Sequence, residues 1–401
     1  MNYGELSIKR HRETKGKVAI VSKMPLETIE DLSVAYTPGV AAVSLAIAAE
    51  KSLSFELTNR ANTVAVVSDG TAVLGIGDQG PLGAMPVMEG KAILFKNLAG
   101  VDAIPICLDT KDPAEIVKTV RYLAPSFGGI NLEDIAAPKC FEVEEALQDL
   151  GIPVFHDDQH GTAVVTLGGL INALAITGKK IKDVKIVMSG AGAAGWATTK
   201  ILLDSGARDI TLVDTKGTIH KGRTDLTPVK KKMLEVTNPR DIRGGIADAL
   251  KGADVFIGVS AAGIVTPEMV RSMNKDPIIF AMANPVPEIM PDLAKKAGAA
   301  IVGTGRSDFA NQINNCLAFP GIFRGALDVR APRITSRMKV EAAKALAALV
   351  KRPTPEKVIP WALDKTVVPA VAQAVRDAWK SEAKGKVAVA GKAASAARGK
   401  A

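Results

Sequence analysis

Two pairs of acidic residues follow two short apolar segments of the chain that are interpreted as buried strands. Glu133 and Asp134 close one segment, and Asp157 and Asp158 come soon after the other, Val154–Phe155. Because the carboxyl ends of parallel strands meet at one edge of a sheet, these side chains are expected to lie close together. Carboxylates at such distances repel each other unless a divalent cation joins them, and ligation by oxygen alone favours Mg²⁺ or Mn²⁺. The pattern therefore predicts a metal site.

Two histidines, His156 and His160, stand in the same stretch, which is expected to be a loop as far as Gly161, with an apolar helix over Thr162–Thr177. Imidazole nitrogens would favour a softer metal than Mg²⁺. Neither histidine has the helical or CxxC context of a zinc site, so both are interpreted as structural residues or as outer support for the ligands.

A glycine-rich hexapeptide follows a predicted strand, Val184–Met188, and opens a predicted helix. Its residues are Gly190, Ala191, Gly192, Ala193, Ala194 and Gly195. An acidic residue, Asp214, stands at the end of the next predicted strand, 19 residues after Gly195. In this context the glycines make a tight turn, let the backbone approach a pyrophosphate and let the helix pack on the strand. The free N–H groups of the helix then bind phosphate, so the pattern predicts a Rossmann site for NAD or NADP.

The choice between the two cofactors stays open at this point. Asp214 suits the ribose hydroxyls of NAD. Several basic residues nearby could instead meet the 2′-phosphate of NADP or form a solvated helix face: Lys216, Lys221, Arg223, Lys230, Lys231 and Lys232.

A second match to the glycine motif, Gly75-Ile-Gly77-Asp-Gln-Gly80, lacks the context of a dinucleotide site. Pro81 and Gly83 follow where a helix should begin, and no acidic residue stands at a strand end at the right distance. These glycines are expected to shape a loop beside the substrate.

Two residues of possible catalytic use stand in the first part of the chain. Lys91 lies within an apolar stretch, and burial near a cofactor can lower the pKa of a lysine enough for it to act as a base. On helical spacing alone Lys91 would extend its ammonium to solvent, and Tyr36 would be a packed aromatic with a solvated hydroxyl.

Strands and helices alternate along the chain, which is typical of parallel sheets in an α/β protein. We predict two domains: an N-terminal parallel-sheet domain over 1–160 that binds substrate and metal, and a Rossmann domain over 161–380 that ends in C-terminal helices. The helical region is expected to begin at Pro332. The segment 381–401, rich in Ala, Gly, Lys and Ser, is expected to be a disordered basic tail.

Composition excludes several classes of protein. The net charge is +9, but more than half of it comes from the six basic residues and one acidic residue after Trp379, which argues against a nucleic-acid partner. The three cysteines lie far apart, as in a reducing compartment. No signal peptide and no uninterrupted apolar segment of membrane-spanning length are found, so we expect a cytoplasmic protein with no membrane partner.

Seven blocks of sequence, in this order, together resemble the malic enzymes, specifically their short bacterial and archaeal form. The blocks are Tyr36-Thr-Pro-Gly-Val, Ser68-Asp-Gly-Thr with Leu74-Gly-Ile-Gly-Asp, Glu89-Gly-Lys91, Asn131-Leu-Glu-Asp134, His156-Asp-Asp-Gln-His-Gly-Thr162, Ala283-Asn-Pro285 and Asn314-Asn-Cys-Leu-Ala-Phe-Pro-Gly321. The resemblance covers roughly residues 30–330, and it includes no phosphotransacetylase-like extension.

The resemblance implies divalent-metal-dependent oxidative decarboxylation of malate to pyruvate and CO₂ with NAD or NADP, in a homodimer or homotetramer. Carried over by motif, Lys91 is the general base, Tyr36 is the general acid, and both contact substrate. Asn284 and Asn315 bind the substrate carboxylate and the nicotinamide side, so Asn284 also belongs to the cofactor site. The metal ligands are Glu133, Asp134 and Asp158, with Asp157 lining the site.

One departure from the family pattern concerns the substrate carboxylate. Many larger relatives have an arginine just before their Leu-Gly-Leu-Gly, where this chain has Ala72-Val73, and Arg306 is a candidate replacement. Two other functions fit the motifs: malolactic decarboxylation, which keeps the cofactor bound and releases lactate, and NAD(P) sensing without catalysis. Effectors, oligomer count and any role of the basic tail are not predicted.

Overall fold

The computed structural model describes residues 3–398, with side-chain surroundings given as far as Lys384. Ten strands form two sheets: β1 Thr63–Ser68, β2 Asp102–Cys107, β3 Gly129–Leu132, β4 Val154–His156, β5 Lys185–Ser189, β6 Asp209–Asp214, β7 Gly217–Thr218, β8 Val255–Gly258, β9 Ile278–Ala281 and β10 Ile301–Thr304. The helices are α1 Tyr3–Thr14, α2 Ile29–Ala35, α3 Val40–Ala49, α4 Ser54–Leu57, α5 Gly80–Ala99, α6 Pro113–Leu123, α7 Lys139–Ala146, α8 Asp157–Thr177, α9 Ala193–Asp204, α10 Pro228–Glu235, α11 Ile246–Leu250, α12 Pro267–Arg271, α13 Pro291–Lys296, α14 Phe319–Asp328, α15 Ser336–Leu349 and α16 Val367–Arg398. The predicted α/β class with a Rossmann-like second part is confirmed.

The first sheet is parallel throughout, in the order β2-β1-β3-β4. Its central strand, β1, is a β-branched and alanine run that is buried along its whole length, as expected for a sheet covered on both faces. All four carboxyl ends lie at one edge, so the residues that follow β3 and β4 become neighbours across the sheet. This edge carries the acidic pairs.

The second sheet has the order β10-β9-β8-β5-β6-β7. Its strands are parallel except β7, a two-residue antiparallel partner of β6 that the sequence did not indicate. The chain runs from β5 to β6 and β7 on one side of β5 and then returns to β8 on its other side, so the strand order reverses at β5. Open α/β sheets bind ligands at such a reversal, and the glycine-rich hexapeptide follows β5.

Helix α8 connects the two sheets, and it begins earlier than predicted. The sequence indicated a loop through Gly161 and a helix from Thr162, but the helix starts at Asp157. Acidic side chains in the first turn interact favourably with the helix dipole, which explains why polar residues start this otherwise apolar helix. Asp157 and Asp158 are therefore held by a rigid helix rather than by a loop.

The C-terminal helices pack on both sheets. Phe319 and Phe323 of α14 contact Phe95 of α5 in edge-to-face geometry, with ring centroids 4.7 and 5.3 Å apart. One continuous core consequently joins side chains from the first sheet, the second sheet and α14–α16. The predicted domain boundary near residue 160 stays a prediction, although α14 packs on the first half of the chain.

Two C-terminal expectations differ from the structure. Helix was expected from Pro332 to about Lys380, but residues 350–366 form no helix between α15 and α16. The tail 381–401 was expected to be disordered, whereas α16 continues through Arg398. The many alanines there have the highest intrinsic helix propensity, which accounts for the difference. The last three residues of the predicted tail, 399–401, lie outside the described residues.

Two helical stretches have the length and apolar composition of a membrane span. One is α8, of which 72% of the relevant window is buried inside the protein, so it is a core helix. The other, Ile29–Ala49, has no buried residue and is divided into α2 and α3 by Tyr36-Thr-Pro-Gly39. Length and composition alone make these two stretches only weak evidence for a membrane partner.

Candidate active site

The carboxylates of Glu133, Asp134 and Asp158 come together at the edge of the first sheet, with one oxygen from each within 4.8 Å of the others. Glu133 and Asp134 follow β3, and Asp158 lies in the first turn of α8. Glu133 and Asp134 are 3% exposed, whereas Asp158 is partly exposed. The structure therefore brings the three predicted ligands into one cluster that is buried on one side and open on the other.

The backbone at Asp134 is turned so that consecutive acidic side chains face the same space. Asp134 has φ of 53°, in the left-handed region that few non-glycine residues adopt. Its N–H donates to Asp158 Oδ2 at 2.8 Å, and its carbonyl oxygen accepts from the N–H of Ala72 at 2.9 Å. The Asn131 amide donates to Glu133 Oε2 at 2.8 Å. These bonds hold the cluster in a conformation that sequence spacing alone would not produce.

One buried carboxylate oxygen of the cluster has no hydrogen-bond partner among the residues that the structure describes. Asp134 Oδ2 is buried and has no hydrogen-bond partner there. Burial and the neighbouring carboxylates Asp158 and Glu133 raise the pKa of Asp134 to about 9. Burial likewise raises the pKa of Glu133, with Lys91 acting in the opposite direction. A divalent cation would offset this repulsion, and a donor set made only of oxygens fits Mg²⁺ or Mn²⁺.

Lys91 projects from α5 into the same cluster. Its Nζ lies 2.6 Å from Asp157 Oδ2, 2.9 Å from Glu133 Oε1 and 4.3 Å from the centroid of the Phe319 ring. Its side chain is buried rather than extended to solvent. The ammonium group is therefore fixed beside the predicted metal ligands.

The pKa of Lys91 is shifted in the direction opposite to the one that burial alone would produce. Burial does lower the pKa of Lys91, but Asp157, Glu133 and Asp158 together outweigh it and raise the pKa above its usual value. Sequence reasoning considered desolvation of the lysine and missed its ion pairs, because the partners follow other strands far along the chain. Lys91 is consequently an ammonium in the described arrangement.

Asp157, which was expected only to line the site, is an ion-pair partner of Lys91. It is fully buried and ion-paired with Lys91, and a Cβ at Gly161 would lie 1.8 Å from its Oδ1. Gly161 therefore leaves the space that the Asp157 carboxylate occupies. The adjacency of Asp157 to a predicted ligand was the only signal of this function in the sequence.

A second ion pair stabilises the loop that follows the predicted metal ligand Asp134. Asp69, after β1, pairs with Lys139 at the start of α7, and its Oδ1 accepts from the Thr71 N–H and hydroxyl. The Thr71 hydroxyl accepts in turn from the N–H of Ala136 at 3.0 Å. The sequence block Ser68-Asp-Gly-Thr therefore positions the loop that follows Asp134, a function that sequence reasoning did not assign.

Tyr36, the predicted general acid, lies at the surface of the chain. It caps the C-terminal end of α2 and is 67% exposed. Its hydroxyl forms no hydrogen bond with the residues that the structure describes. Within residues 3–398, no hydrogen bond therefore orients the Tyr36 hydroxyl, and its predicted substrate contact stays a prediction.

Asn315 and Asn284 lie on two sides of the candidate site. Asn315 begins a short 3₁₀ turn, and its Cβ would be 3.0 Å from a Cβ at Gly161, next to Asp157. Asn284 follows β9, and its carbonyl oxygen would be 2.9 Å from a Cβ at Gly75. The loop of the second glycine match thus approaches the loop that follows β9 of the second sheet.

Arg306, the candidate carboxylate-binding arginine, lies in the loop that follows β10. Its guanidinium is bidentate to Asp308 and also donates to the carbonyl oxygen of Pro285 at 3.2 Å. It would have to exchange one of these partners to bind a substrate carboxylate.

The glycine-rich hexapeptide forms the turn between β5 and α9. Gly190 has φ of 107°, and a Cβ there would lie 2.7 Å from the carbonyl oxygen of Val259. A Cβ at Gly195 would lie 1.7 Å from the carbonyl oxygen of Gly190, while Gly192 faces open space. This combination leaves the free N–H groups of α9 accessible to a phosphate. Ala191, Ala193 and Ala194 complete the turn.

A buried glutamate behind this turn was missed by the sequence analysis. Glu288 is fully buried, and its carboxylate accepts from the N–H groups of Ser260 at 2.8 Å and Ala283 at 3.0 Å. It therefore holds together the loops after β8 and β9, which flank Asn284.

Asp214 ends β6 and is surrounded by basic groups. Its Oδ1 accepts from Arg223 Nη1 at 2.7 Å and from the N–H of Lys216 at 2.9 Å, and its Oδ2 accepts from Lys230 Nζ at 2.5 Å. These hydrogen bonds keep the pKa of Asp214 below its usual value, although burial acts in the opposite direction. Asp225 takes the other side of the Arg223 guanidinium at 2.7 Å.

Comparisons with known proteins show which family this chain resembles. Residues 15–148 match the family model of the malic enzyme N-terminal domain, and residues 159–378 match that of the malic enzyme NAD binding domain. The NAD-dependent malic enzyme of Geobacillus stearothermophilus is 57% identical over 90% of this chain and 76% of its own length. A bifunctional malic/malolactic enzyme of Bacillus subtilis is 54% identical over 94% and 93%. The crystal structure of an NAD-dependent malic enzyme from Thermotoga maritima superposes with a TM-score of 0.90, at 50% identity over 92% of this chain and 98% of that one.

Proposed function

The chain belongs to the malic enzyme family, and from that premise we propose that it oxidises and decarboxylates malate to pyruvate and CO₂ while it reduces NAD or NADP. The observation that carries the proposal is the position of Lys91 Nζ between Asp157 and Glu133, at the edge of the three-carboxylate cluster. A base beside a metal-ligating cluster is the arrangement that removal of a hydroxyl proton requires.

Glu133, Asp134 and Asp158 are proposed to hold Mg²⁺ or Mn²⁺. Their all-oxygen donor set and the orphaned Asp134 Oδ2 support this assignment. When bound, such a cation supplies Lewis-acid stabilisation of the negative charge that develops as CO₂ departs from C4. It also neutralises carboxylates that raise the pKa of Lys91, which favours the neutral amine.

Lys91 is proposed to accept the proton of the C2 hydroxyl while hydride leaves C2 for the nicotinamide. Asp157 orients the amine, because it is fixed in the first turn of α8 and buried against Gly161. Tyr36 is proposed to protonate C3 of the enolate that remains after CO₂ is lost, which gives pyruvate. Asn284, Asn315 and Arg306 are proposed to bind the carboxylates of malate and the nicotinamide side.

Tyr36 is proposed to reach the active site of a second copy in a homodimer. It belongs to an N-terminal arm, residues 18–49, whose apolar side chains are exposed, including Ile20 at 98% and Ile29 at 80%. Neither α2 nor α3 has a buried residue. Because contiguous exposed apolar surface of this kind indicates a protein interface, a second copy that covers the arm would also receive its tyrosine.

Mixing two inactive variants tests this exchange. If each site combines Lys91 of one copy with Tyr36 of the other, unfolding and refolding a 1:1 mixture of Y36F and K91A should restore roughly a quarter of wild-type turnover, since half of the dimers then contain one intact site. Malate-dependent cofactor reduction measures the recovery. Refolded Y36F alone and K91A alone are the controls, and a mixture no more active than these would show that Tyr36 does not act across the dimer.

NAD is proposed as the preferred cofactor. The Asp214 carboxylate retains an acceptor site for a ribose hydroxyl, and its charge repels a 2′-phosphate. Arg223 and Lys230 are engaged with Asp214 in ion pairs, so both side chains are held away from a 2′-phosphate in the wild-type chain.

Replacement of Asp214 by alanine is expected to shift the kcat/KM ratio towards NADP by about tenfold or more, because it releases Arg223 and Lys230 for the 2′-phosphate. Initial rates with each cofactor at saturating malate and Mn²⁺ give the ratio. The matched control is D225A, which removes the other partner of Arg223 but leaves Asp214 in place. A wild-type chain that prefers NADP, or a ratio that D214A leaves unchanged, contradicts the proposal.

Malolactic decarboxylation is the second candidate, since the Bacillus subtilis relative is named as bifunctional. Absorbance at 340 nm separates the two reactions: malate oxidation accumulates reduced cofactor, whereas the malolactic reaction does not. A non-catalytic NAD(P) sensor would have no use for a buried lysine among four carboxylates, and it would show no turnover of malate, oxaloacetate or lactate with either cofactor and Mn²⁺. The cytoplasmic location and the lack of nucleic-acid and membrane partners stay predictions.

A further inference from the structure

A cleft of about 400 Å³ is lined by residues of α7, β4 and α8 on one side and of α9, α10 and α15 on the other. The residues that line it are Phe141, Glu144, Glu145, Gln148, Val154, Phe155, Gln159, His160, Trp196, Lys200, Val229, Lys232, Ile334 and Lys339. None of them belongs to the proposed substrate, metal or dinucleotide sites. The cleft is therefore a second concave site, and the proposed reaction does not use it.

We propose that this cleft binds a small anion through a phosphate or carboxylate group, held by Lys339, Lys200 and the Gln159 amide. Lys232 adds a third ammonium group to the cleft lining. None of the three lysines forms an ion pair within residues 3–384. Burial and the nearby charge of Lys200 lower the pKa of Lys339 to about 8, although the carboxylates of Glu144 and Asp204 act in the opposite direction. An anion between the lysines would supply the missing counter-charge.

Glu144, one of the two carboxylates that line the cleft, already accepts hydrogen bonds from other groups of the protein. Glu144 accepts from His160 Nε2 at 2.8 Å and from the N–H of His156 at 3.3 Å. Burial lowers the pKa of His160 to about 4, so its ring is neutral and its Nδ1 accepts from Lys339 Nζ at 3.2 Å. Glu145 is the other carboxylate of the lining. The Glu144 charge is thus shared with His160 and the backbone, and Lys339 has no carboxylate of its own.

The Gln159 amide supplies the second, independent indication of a ligand. Gln159 is 1% exposed, lines the cleft and leaves its Nε2 without a hydrogen-bond partner among the described residues. Buried amide donors are almost always satisfied, so an orphan at a cleft wall indicates a group that accepts hydrogen bonds. Phosphate and carboxylate oxygens accept hydrogen bonds and carry the charge that the lysines lack.

Trp196 gives a direct readout of the cleft. It is half-buried in the lining, with Lys200 Nζ 5.5 Å from its ring centroid. The chain has three tryptophans, so the double variant W361F/W379F leaves Trp196 as the only reporter. Titration of the full-length double variant with inorganic phosphate, and separately with succinate, at saturating NAD⁺ is expected to change its fluorescence saturably. Isothermal titration of the wild-type chain with the same two probes repeats the measurement without substitutions.

The decisive comparison uses two lysines of α15. K339Q is expected to raise the dissociation constant of the bound probe at least tenfold, whereas K344Q, which removes an exposed partner of Glu341, should leave it within twofold. Saturable binding of either probe with this pattern supports the proposal, and the tighter probe identifies the anion class. No saturable binding, equal affinity in K339Q and wild type, or loss of the signal when NAD⁺ is present would overturn it.

Discussion

Replacement of Lys91 by alanine is expected to lower kcat by about 10²–10⁴-fold, the contribution of a general base of this kind. The variant loses the amine that would accept the C2 hydroxyl proton, and it leaves the buried carboxylates of Asp157 and Glu133 without their ion pair. Cofactor binding should persist, because the glycine-rich turn after β5 belongs to the other sheet. Steady-state rates with malate and Mn²⁺, together with nicotinamide fluorescence for NADH binding, measure the two effects.

Two further variants separate the base from the ion pair. K91R keeps a positive charge beside Asp157, but a guanidinium does not deprotonate in proteins, so this variant should be as slow as K91A while it folds more stably. K96A is the matched control on the same helix, since it removes an exposed ion pair with Asp102. If K91A or K91R retains more than a tenth of wild-type kcat, Lys91 is not the base.

Replacement of Asp158 by asparagine is expected to raise the Mn²⁺ concentration for half-maximal activity by about tenfold or more. The variant removes one charged ligand of the three, and even residues that only support metal ligands contribute about 10–100-fold to affinity. The exposed carboxylate Asp149, which pairs with Arg121, provides the control D149N in the same half of the chain. Activity as a function of Mn²⁺ gives both constants.

An unchanged metal requirement in D158N would remove Asp158 from the ligand set. The interpretation depends on an intact fold, because the N–H of Asp134 donates to Asp158 Oδ2. The asparagine can turn its amide oxygen towards that N–H, so the backbone turn at Asp134 should persist. Equal thermal unfolding temperatures of D158N and wild type would establish this.

Much of the fold follows from local patterns in the sequence. Strand β1 is a β-branched run buried on both faces, and β5 leads into glycines whose spacing fits a phosphate-binding turn, so both were predictable from residue types. The start of α8 was not, because Asp157 and Asp158 look like loop residues until the helix dipole and the ion pair with Lys91 are considered. Helix boundaries that depend on such contacts cannot be read from periodicity.

The sequence predicted which residues form the site more completely than it predicted their protonation and hydrogen-bond partners. Glu133, Asp134 and Asp158 come together as expected, but the pKa of Lys91 moves in the opposite direction because Asp157 and Glu133 approach it from distant parts of the chain. Glu288 was missed for the same reason, since its partners Ser260 and Ala283 are set by tertiary structure. Tyr36 was identified by its motif, and its side chain is largely exposed, so its role as the general acid stays a prediction.

Product stoichiometry with malate labelled at C4 tests the proposed reaction most directly. With NAD⁺ and Mn²⁺, the account predicts one labelled CO₂ and one pyruvate for each reduced cofactor that accumulates. Labelled CO₂ released together with lactate and no net cofactor reduction, or label retained in oxaloacetate, would contradict it.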